Sequence, residues 1–394
     1  MRIQRNTVKL TGILVLLGMI GMQDSCIEEY IPDIEAGESR KYVVSGQLTT
    51  EREEQVISVA LASSIRHPGP VPLNDCTVRI ADENGNSFAG TEFEGGKYRI
   101  RIPRGNLIAG LSYRLEITTP AGASLVSDFE ELLDCPDIDS VYFTRESLPT
   151  NDPGVFIEGI QFYLDLDARG YENAYYKFDV EETWEYHSEY PLEWYYDGEF
   201  LHHVEPWDYS HSVCWKTRII PDIFILNTAE LQNNTYRRYP FHFVDNTTQR
   251  LVYLYSILVK QYAVSQQAYV YWDQLRMNNV EQESLYETQP LPVQGNLKNL
   301  TDPEQPVLGN FVVSSVKTKR IFVKDVPDLE INFQPDCAVS LLRYGLRDLT
   351  PDVYRYPVYL YIDRNGFFEL TPECIFCEMM GGSVTPPPYW PDPE

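Results

Sequence analysis

Basic charge is scarce in this chain, which carries 32 Lys and Arg against 58 Asp and Glu for a formal net charge of −26. Without a basic stripe there is nothing to supply counterion-release affinity for a phosphate backbone, so DNA and RNA are excluded as partners. Peripheral binding to anionic lipid is disfavoured on the same ground. Long apolar runs are also missing: the longest, Leu10 to Met22, falls short of the roughly 20 residues a membrane-spanning helix needs. No G-x-S-x-G, H-E-x-x-H, P-loop or G-x-G-x-x-G occurs, which removes the recognisable hydrolase, zinc-protease and nucleotide-binding signatures. No repeat of 20 to 50 residues is evident, so a solenoid or propeller is not expected.

What is present begins at the N-terminus. Arg2, Arg5 and Lys9 precede the short apolar run, and Ser25-Cys26 follows it. This is the layout of a signal peptide over residues 1–25 with a lipidation cysteine at Cys26. A plain signal peptide that happens to contain a cysteine is the alternative. Gln23 stands where a lipobox usually has an aliphatic residue. Ile27-Glu28-Glu29 resembles the acidic surface-export signal that follows the lipidated cysteine in Bacteroidetes lipoproteins, so Glu28 and Glu29 point to the cell exterior. Several acyl chains on one residue hold durably, at about 0.8 kcal/mol per buried methylene. An outer-membrane, lipid-anchored location is expected. Cleavage before Cys26 would remove Arg2, Arg5, Lys9 and Asp24 and move the net charge from −26 to −28.

Residues 26–40 read as an acidic spacer. From Lys41 to about residue 130, short alternating runs such as YVVSGQL, VISVALA and YRIRIP are punctuated by Asn84-Gly85 and Gly95-Gly96, hairpin signals that predict a small immunoglobulin-like β-sandwich. Residues 131–394 are expected to form a larger β-rich domain with helical insertions and an extended Pro-rich tail. Within it, GIQFYLDLD and AYYKFDVEETWEY read as strands, AELQ after Thr228 as a short helix, and residues 251–264 as a long buried strand. Ser265 is the expected N-cap of a helix whose Ala268, Tyr271, Trp272 and Leu275 share one face. The fold class is mainly β with a few helices.

Six further cysteines, Cys76, Cys135, Cys214, Cys337, Cys374 and Cys377, are disulfide candidates in an exported chain, with connectivity left open. Cys374 and Cys377 have redox spacing but follow a strand instead of opening a helix, so a thioredoxin-type thiol is not expected. Zinc would require a second ligand pair that the sequence does not supply. His187, His202, His203, His211 and His242 lie near acids, yet His202 and His203 on one strand would point to opposite faces. Asp165 and Asp167 share a strand face without the further oxygen ligands of a calcium loop. No metal or cofactor is expected. The stretch from Trp184 to Tyr209 is crowded with aromatics, and Trp184, Trp194, Tyr195 and Trp207 are its candidate contacts for a sugar or a protein. The alternative is that they pack a core, since aromatics favour strands.

Several segments, in order, resemble a family of Bacteroidetes outer-membrane lipoproteins catalogued as domain of unknown function 4249. They are YVVSGQLTT after the acidic spacer, CTVRIADENGNSF with GGKYRI, Cys214-Trp215, YSILVKQYAVSQQAYVYWDQL, QGNLKN, VLGNFVVSSVKTKRIFV, and the C-x-x-C, Gly381-Gly382 and Pro388-Tyr389-Trp390 ending. The resemblance implies a surface lipoprotein associated with a TonB-dependent receptor, without identifying a substrate. The expected function is therefore a noncatalytic binding or accessory component of a TonB-dependent uptake system, with a glycan or peptide as possible ligand. Alternatives are a glycan-binding module built on residues 184–209 and a hydrolase with an unrecognised carboxylate pair.

Overall fold

Alternation of buried and exposed residues, the period that a sheet with one covered face imposes, runs through Tyr42–Thr49, Glu54–Leu61, Thr77–Asp82, Lys97–Arg101 and Ser112–Thr118. A computed structural model describes residues 41–62, 69–282, 293–350 and 354–392. The signal peptide, the spacer, Cys26, Glu28 and Glu29 lie outside the described residues. The fold is mainly β, with a single α-helix among the described residues.

The first strands belong to a twelve-stranded sheet that encloses its own core of Val44, Leu48, Ile57, Ile80, Tyr98, Ile100, Tyr113 and Leu115. Strand Ser87–Glu94 joins its two halves: Phe88 pairs with Ile80, whereas Gly90 pairs with Ile100. A Cβ at Gly90 would sit 3.1 Å from the Val78 carbonyl oxygen, so the crossing point needs the smallest residue. Late segments complete this sheet. Leu297–Asn299 pairs with Ser124–Ser127, and Val307–Leu308 and Phe311–Ser314 run parallel to Tyr42–Thr49. Strands between residues 297 and 314 therefore lie in the layer that the sequence confined to 41–130.

A second core lies between a three-stranded sheet (Ile138–Pro149, Phe156–Asp167, Thr235–Asp245) and a five-stranded one (Tyr175–His187, Val213–Ile219, Phe224–Asn227, Tyr255–Ala263, Val316–Val323). Ile160, Phe162 and Leu164 from the first meet Phe178, Val180, Ile257 and Val259 from the second. The helix Gln266–Gln282 follows, with the Ser265 hydroxyl accepting from the Ala268 N–H at 3.1 Å as an N-cap. Ala268 is buried beside Val264 and Val312, and Trp272 is approached by the Lys177 ammonium. The segment AELQ is not a helix. Ala229 and Glu230 form a turn, and a 3-10 turn then passes through left-handed Asn233 and Asn234; asparagine tolerates that conformation because its short amide bonds locally.

A fourth sheet, of five strands, orders as Leu201–Asp208, Leu192–Tyr196, Val358–Asp363, Gly366–Leu370 and Val339–Leu342. The Pro-rich end does not run on extended. It makes a turn in which the Trp390 N–H donates to the Pro387 carbonyl, and fastens to the second sandwich: the Tyr389 and Thr183 hydroxyls are 2.9 Å apart, and Trp390 Nε1 donates to Glu185 at 3.2 Å.

Candidate recognition surface

The aromatic stretch singled out in the sequence divides between a core and a surface. Trp184 lies on the central strand of the second sandwich and is 5% exposed, so it packs and does not recognise. The rest folds into a hairpin. Asp197 sets the turn, its carboxylate accepting from the Glu199 and Phe200 N–H groups at 2.8 and 2.7 Å while Gly198 takes φ 104°. An Asx-type carboxylate and a glycine at positive φ are what such a turn requires. Across the hairpin Trp194 pairs with His203 and Tyr195 with His202, and each pair stacks, with ring centroids 4.0 and 4.6 Å apart. The adjacent histidines do point to opposite faces.

Behind the hairpin, Tyr195 pairs with Tyr359 and Tyr359 with Leu370, while Tyr361 pairs with Phe368 and Phe368 with Leu341. One face thus carries Tyr195, Tyr359, Tyr361 and Phe368 across its middle strands and ends on aliphatic Val339 and Leu341 at the far edge. Phe376 and Tyr190 cover its middle, at 5.0 Å from Tyr359 and 5.4 Å from Tyr361. The other face buries Leu342, Leu349, Val358 and Leu360 with help from Trp194 and Tyr196. What stays open is the rim: Phe200, Trp207 and Tyr209 on the hairpin side, Leu341 and Tyr344 on the opposite side, between 47% and 77% exposed. Sequence reading missed Leu341 and Tyr344, because an edge strand of four residues has too little pattern to read.

Two disulfides brace this sheet. Cys374 and Cys377 do not pair with each other: Cys374 joins Cys337 and Cys377 joins Cys214. The first closes the end of the Val339–Leu342 and Gly366–Leu370 pair; the second ties the following turn to the second sandwich. Cys76 and Cys135, also disulfide candidates, are buried free thiols. They cannot meet because they lie in different cores, Cys76 in the first and Cys135 in the second. Burial pushes both thiols up, that of Cys135 to about 11.

Each of the five singled-out histidines has its own carboxylate and its own ring: His187 with Glu185 and Tyr253, His202 with Asp197 and Tyr195, His203 with Glu205 and Trp194, His211 with Glu378 and Phe376, His242 with Glu182 and Phe162. No two converge on a shared point. Among the described residues, the one group with donor spacing for a metal is Cys214, Cys377 and Glu378, and its two sulfurs are spent on a disulfide. Asp165 and Asp167 hold Arg237, and Asp167 also holds Arg169.

A cleft of about 400 Å³ runs between the first sheet and the second sandwich. Its carboxylates are committed: Glu51 to Lys260 at 2.7 Å, Asp179 to Lys177, Glu181 to Arg320 at 3.0 Å and Glu54 to Arg99 at 3.6 Å. A larger hollow of about 590 Å³ beside the helix is lined by Gln266, Gln267, Gln274, Gln294, Val270 and Tyr271, a set without a nucleophile and base in partnership.

A family model, Domain of unknown function (DUF4249), matches residues 27–320. The chain belongs to this family. No curated protein matches it. In this DUF4249 member the segments that carried the resemblance have structural work. A Cβ on Gly295 of QGNLKN would lie 1.8 Å from the Gly309 carbonyl oxygen, and one on Gly309 of VLGNF would lie 1.8 Å from that of Val44. Glycine is required where the late segments cross the first strand. The matched span ends before Val339–Leu342, Val358–Asp363 and Gly366–Leu370, so three strands of the aromatic sheet come from beyond it.

Proposed function

We propose that this DUF4249 member is a noncatalytic binding protein, lipid-anchored at Cys26 on the cell surface and serving as an accessory of a TonB-dependent uptake system. The observation that carries the reading is a small sheet, braced by two disulfides, whose rim presents Phe200, Trp207, Tyr209, Leu341 and Tyr344 to solvent. Exposed aromatic and aliphatic groups on a rigid support suit a protein interface, because little ordering entropy is lost on docking. The net charge of −26 speaks for a protein partner over nucleic acid or anionic lipid. Mild-detergent pull-down of the tagged full chain is expected to recover an outer-membrane receptor; repeated recovery of this chain alone counts against the proposal. Palmitate labelling should disappear in Cys26→Ala, and persistent labelling refutes the anchor.

A glycan ligand is the second reading, and exposed Trp207 and Tyr209 favour it. It predicts that glycan-array signals fall in Trp207→Ala and hold in Trp194→Ala, whose ring is already covered by His203. Equal signals in wild type and Trp207→Ala sink it.

A further inference from the structure

The two edges of the aromatic sheet differ in charge and in protection. On the hairpin edge, Leu201–Asp208 contains Glu205, Pro206 and Asp208, a proline and charges of the kind that discourage strand pairing. On the opposite edge, Val339–Leu342 reads VSLL, with no charge and no proline. Its first three residues are exposed, and among the described residues it pairs on one side only, with Gly366–Leu370. An apolar edge strand with free backbone N–H and C=O groups is a template for another strand.

Charge around this edge is organised too. Arginines earlier in the chain, such as Arg79, Arg145, Arg218, Arg237 and Arg250, sit on carboxylates. Arg343, Arg347, Arg355 and Arg364 are all exposed, and none has a carboxylate partner among the described residues. Three of them gather at one end of the edge. Leu342 pairs with Phe367 and Asp363 with Gly366, so Arg343, one residue past the strand, and Arg364, in the turn, share that end of the sheet. Arg347 follows in the 3-10 turn Gly345–Asp348, whose Gly345 lies beside the Phe367 ring. Asp348 and Asp363 stand at the same end, but their carboxylates accept from the backbone N–H groups of Tyr344, Asn365 and Gly366, so in a chain of net charge −26 the guanidinium groups beside this edge remain without a carboxylate partner among the described residues.

We infer that Val339–Leu342 is a docking edge for an extended acidic segment of a partner protein, which adds a strand to the sheet while its carboxylates meet Arg343, Arg347 and Arg364. The inference rests on the reading of the chain as a binding protein and gives that reading one contact and its chemistry. The backbone of the edge calls for a strand. The guanidinium groups call for carboxylates, which they bind in two-pronged fashion. Val339 and Leu341, on the face of Leu370 and Phe368, receive apolar side chains at alternate positions of the incoming strand. The Cys337–Cys374 bond, two residues before the strand begins, holds the edge in place before the partner arrives. A polyanionic glycan would satisfy the arginines but leave the backbone edge unpaired.

The probe is a dye-labelled octapeptide with two glutamates at each end of Val-Thr-Val-Thr, with a lysine-ended version as control, titrated by fluorescence anisotropy against the full chain. The glutamate-ended peptide is expected to bind and the lysine-ended one not to, with affinity falling as salt rises. Arg343→Glu with Arg364→Glu should weaken binding about tenfold or more. Arg343→Gln with Arg364→Gln, gentler on the surface, should fall between. Leu341→Lys should abolish binding by guarding the edge. Bound peptide should slow amide exchange within residues 339–342. Equal affinity for both peptides, protection elsewhere than 339–342, or a heparin fragment competing at the same arginines without slowing those amides would each overturn the inference. A pull-down without a receptor, with peptide binding intact, would fail the TonB proposal and leave this edge standing.

Discussion

Asn296 is fully buried, and its side chain holds three groups at once. Its amide nitrogen donates to Glu130 at 3.0 Å and to the Phe311 carbonyl at 2.8 Å, and its amide oxygen accepts from the Phe311 N–H at 2.9 Å. Truncation strands two buried backbone groups and leaves the buried Glu130 carboxylate with the Ser265 hydrogen bond alone, so Asn296→Ala should cost about 2–4 kcal/mol, read as a lower midpoint in urea. Glu182 is the charged counterpart. It points into the second core, where Tyr255 donates at 2.8 Å, His242 lies at 3.2 Å and Arg250 at 3.5 Å, with Arg218 against its other oxygen. Burial pushes this carboxyl up, but the His242 hydrogen bond, the Arg250 charge and the Tyr255 hydroxyl together outweigh it and hold it at about 2, below the ordinary 4.5. A depressed folded-state value means stabilisation that is complete above about pH 4.5 and drains away as pH falls toward 2, on the order of 3 kcal/mol. Glu182→Gln should destabilise by about 3–5 kcal/mol at neutral pH, because it leaves Arg250 without its inward counter-charge. It should also flatten the dependence of the melting temperature between pH 4.5 and 2; an unchanged slope would show that other carboxylates govern the acid transition. Neither role was legible in the sequence. QGNLKN stood out only as a resemblance, and Glu182 was one acid among 58.

Elements with a local cause were legible. The Ser265 cap, the long strand now bounded at Tyr255–Ala263 and the alternating strands of the first sheet all follow from signals within ten residues. The five-stranded aromatic sheet was not, since its hairpin at 192–208 meets strands that begin at 339 and 358, and alternation does not name a partner strand. Nor could spacing show that neighbouring Cys374 and Cys377 face different partners. Their separation has an energetic consequence. Cys337 and Cys374 close a loop of sequence separation 37, for which chain entropy gives about 4 kcal/mol of stabilisation. Replacing both by serine should lower stability by up to that amount. The loss should concentrate in amide exchange at Val339–Leu342, whose four residues and single neighbour hold it weakly on their own. Uniform loss across all sheets would instead mean that the bond acts on the unfolded chain alone.

At the scale of the whole molecule, the order of strands in space departs from their order in sequence. The first sheet is closed by Leu297–Asn299, Val307–Leu308 and Phe311–Ser314, and Leu297, Val307, Phe311 and Val313 lie in its core. Between the early and late strands, the chain builds all but the last strand of the second sandwich, and the helix. Such contacts span more than 250 residues, as with Tyr42 against Val307, and loop closure over that length must be met before the pairing returns anything. The consequence is testable on fragments. Residues 41–133 alone should show no cooperative thermal transition, because without the late strands the inner side chains of Tyr42–Thr49 and Ser124–Ser127 lose their cover. Extending the fragment to residue 323, which restores the late strands and the last strand of the second sandwich, should recover a sharp transition by circular dichroism. A cooperative melt in the short fragment would show that the early strands close a core by themselves and that the late segments only dock on it.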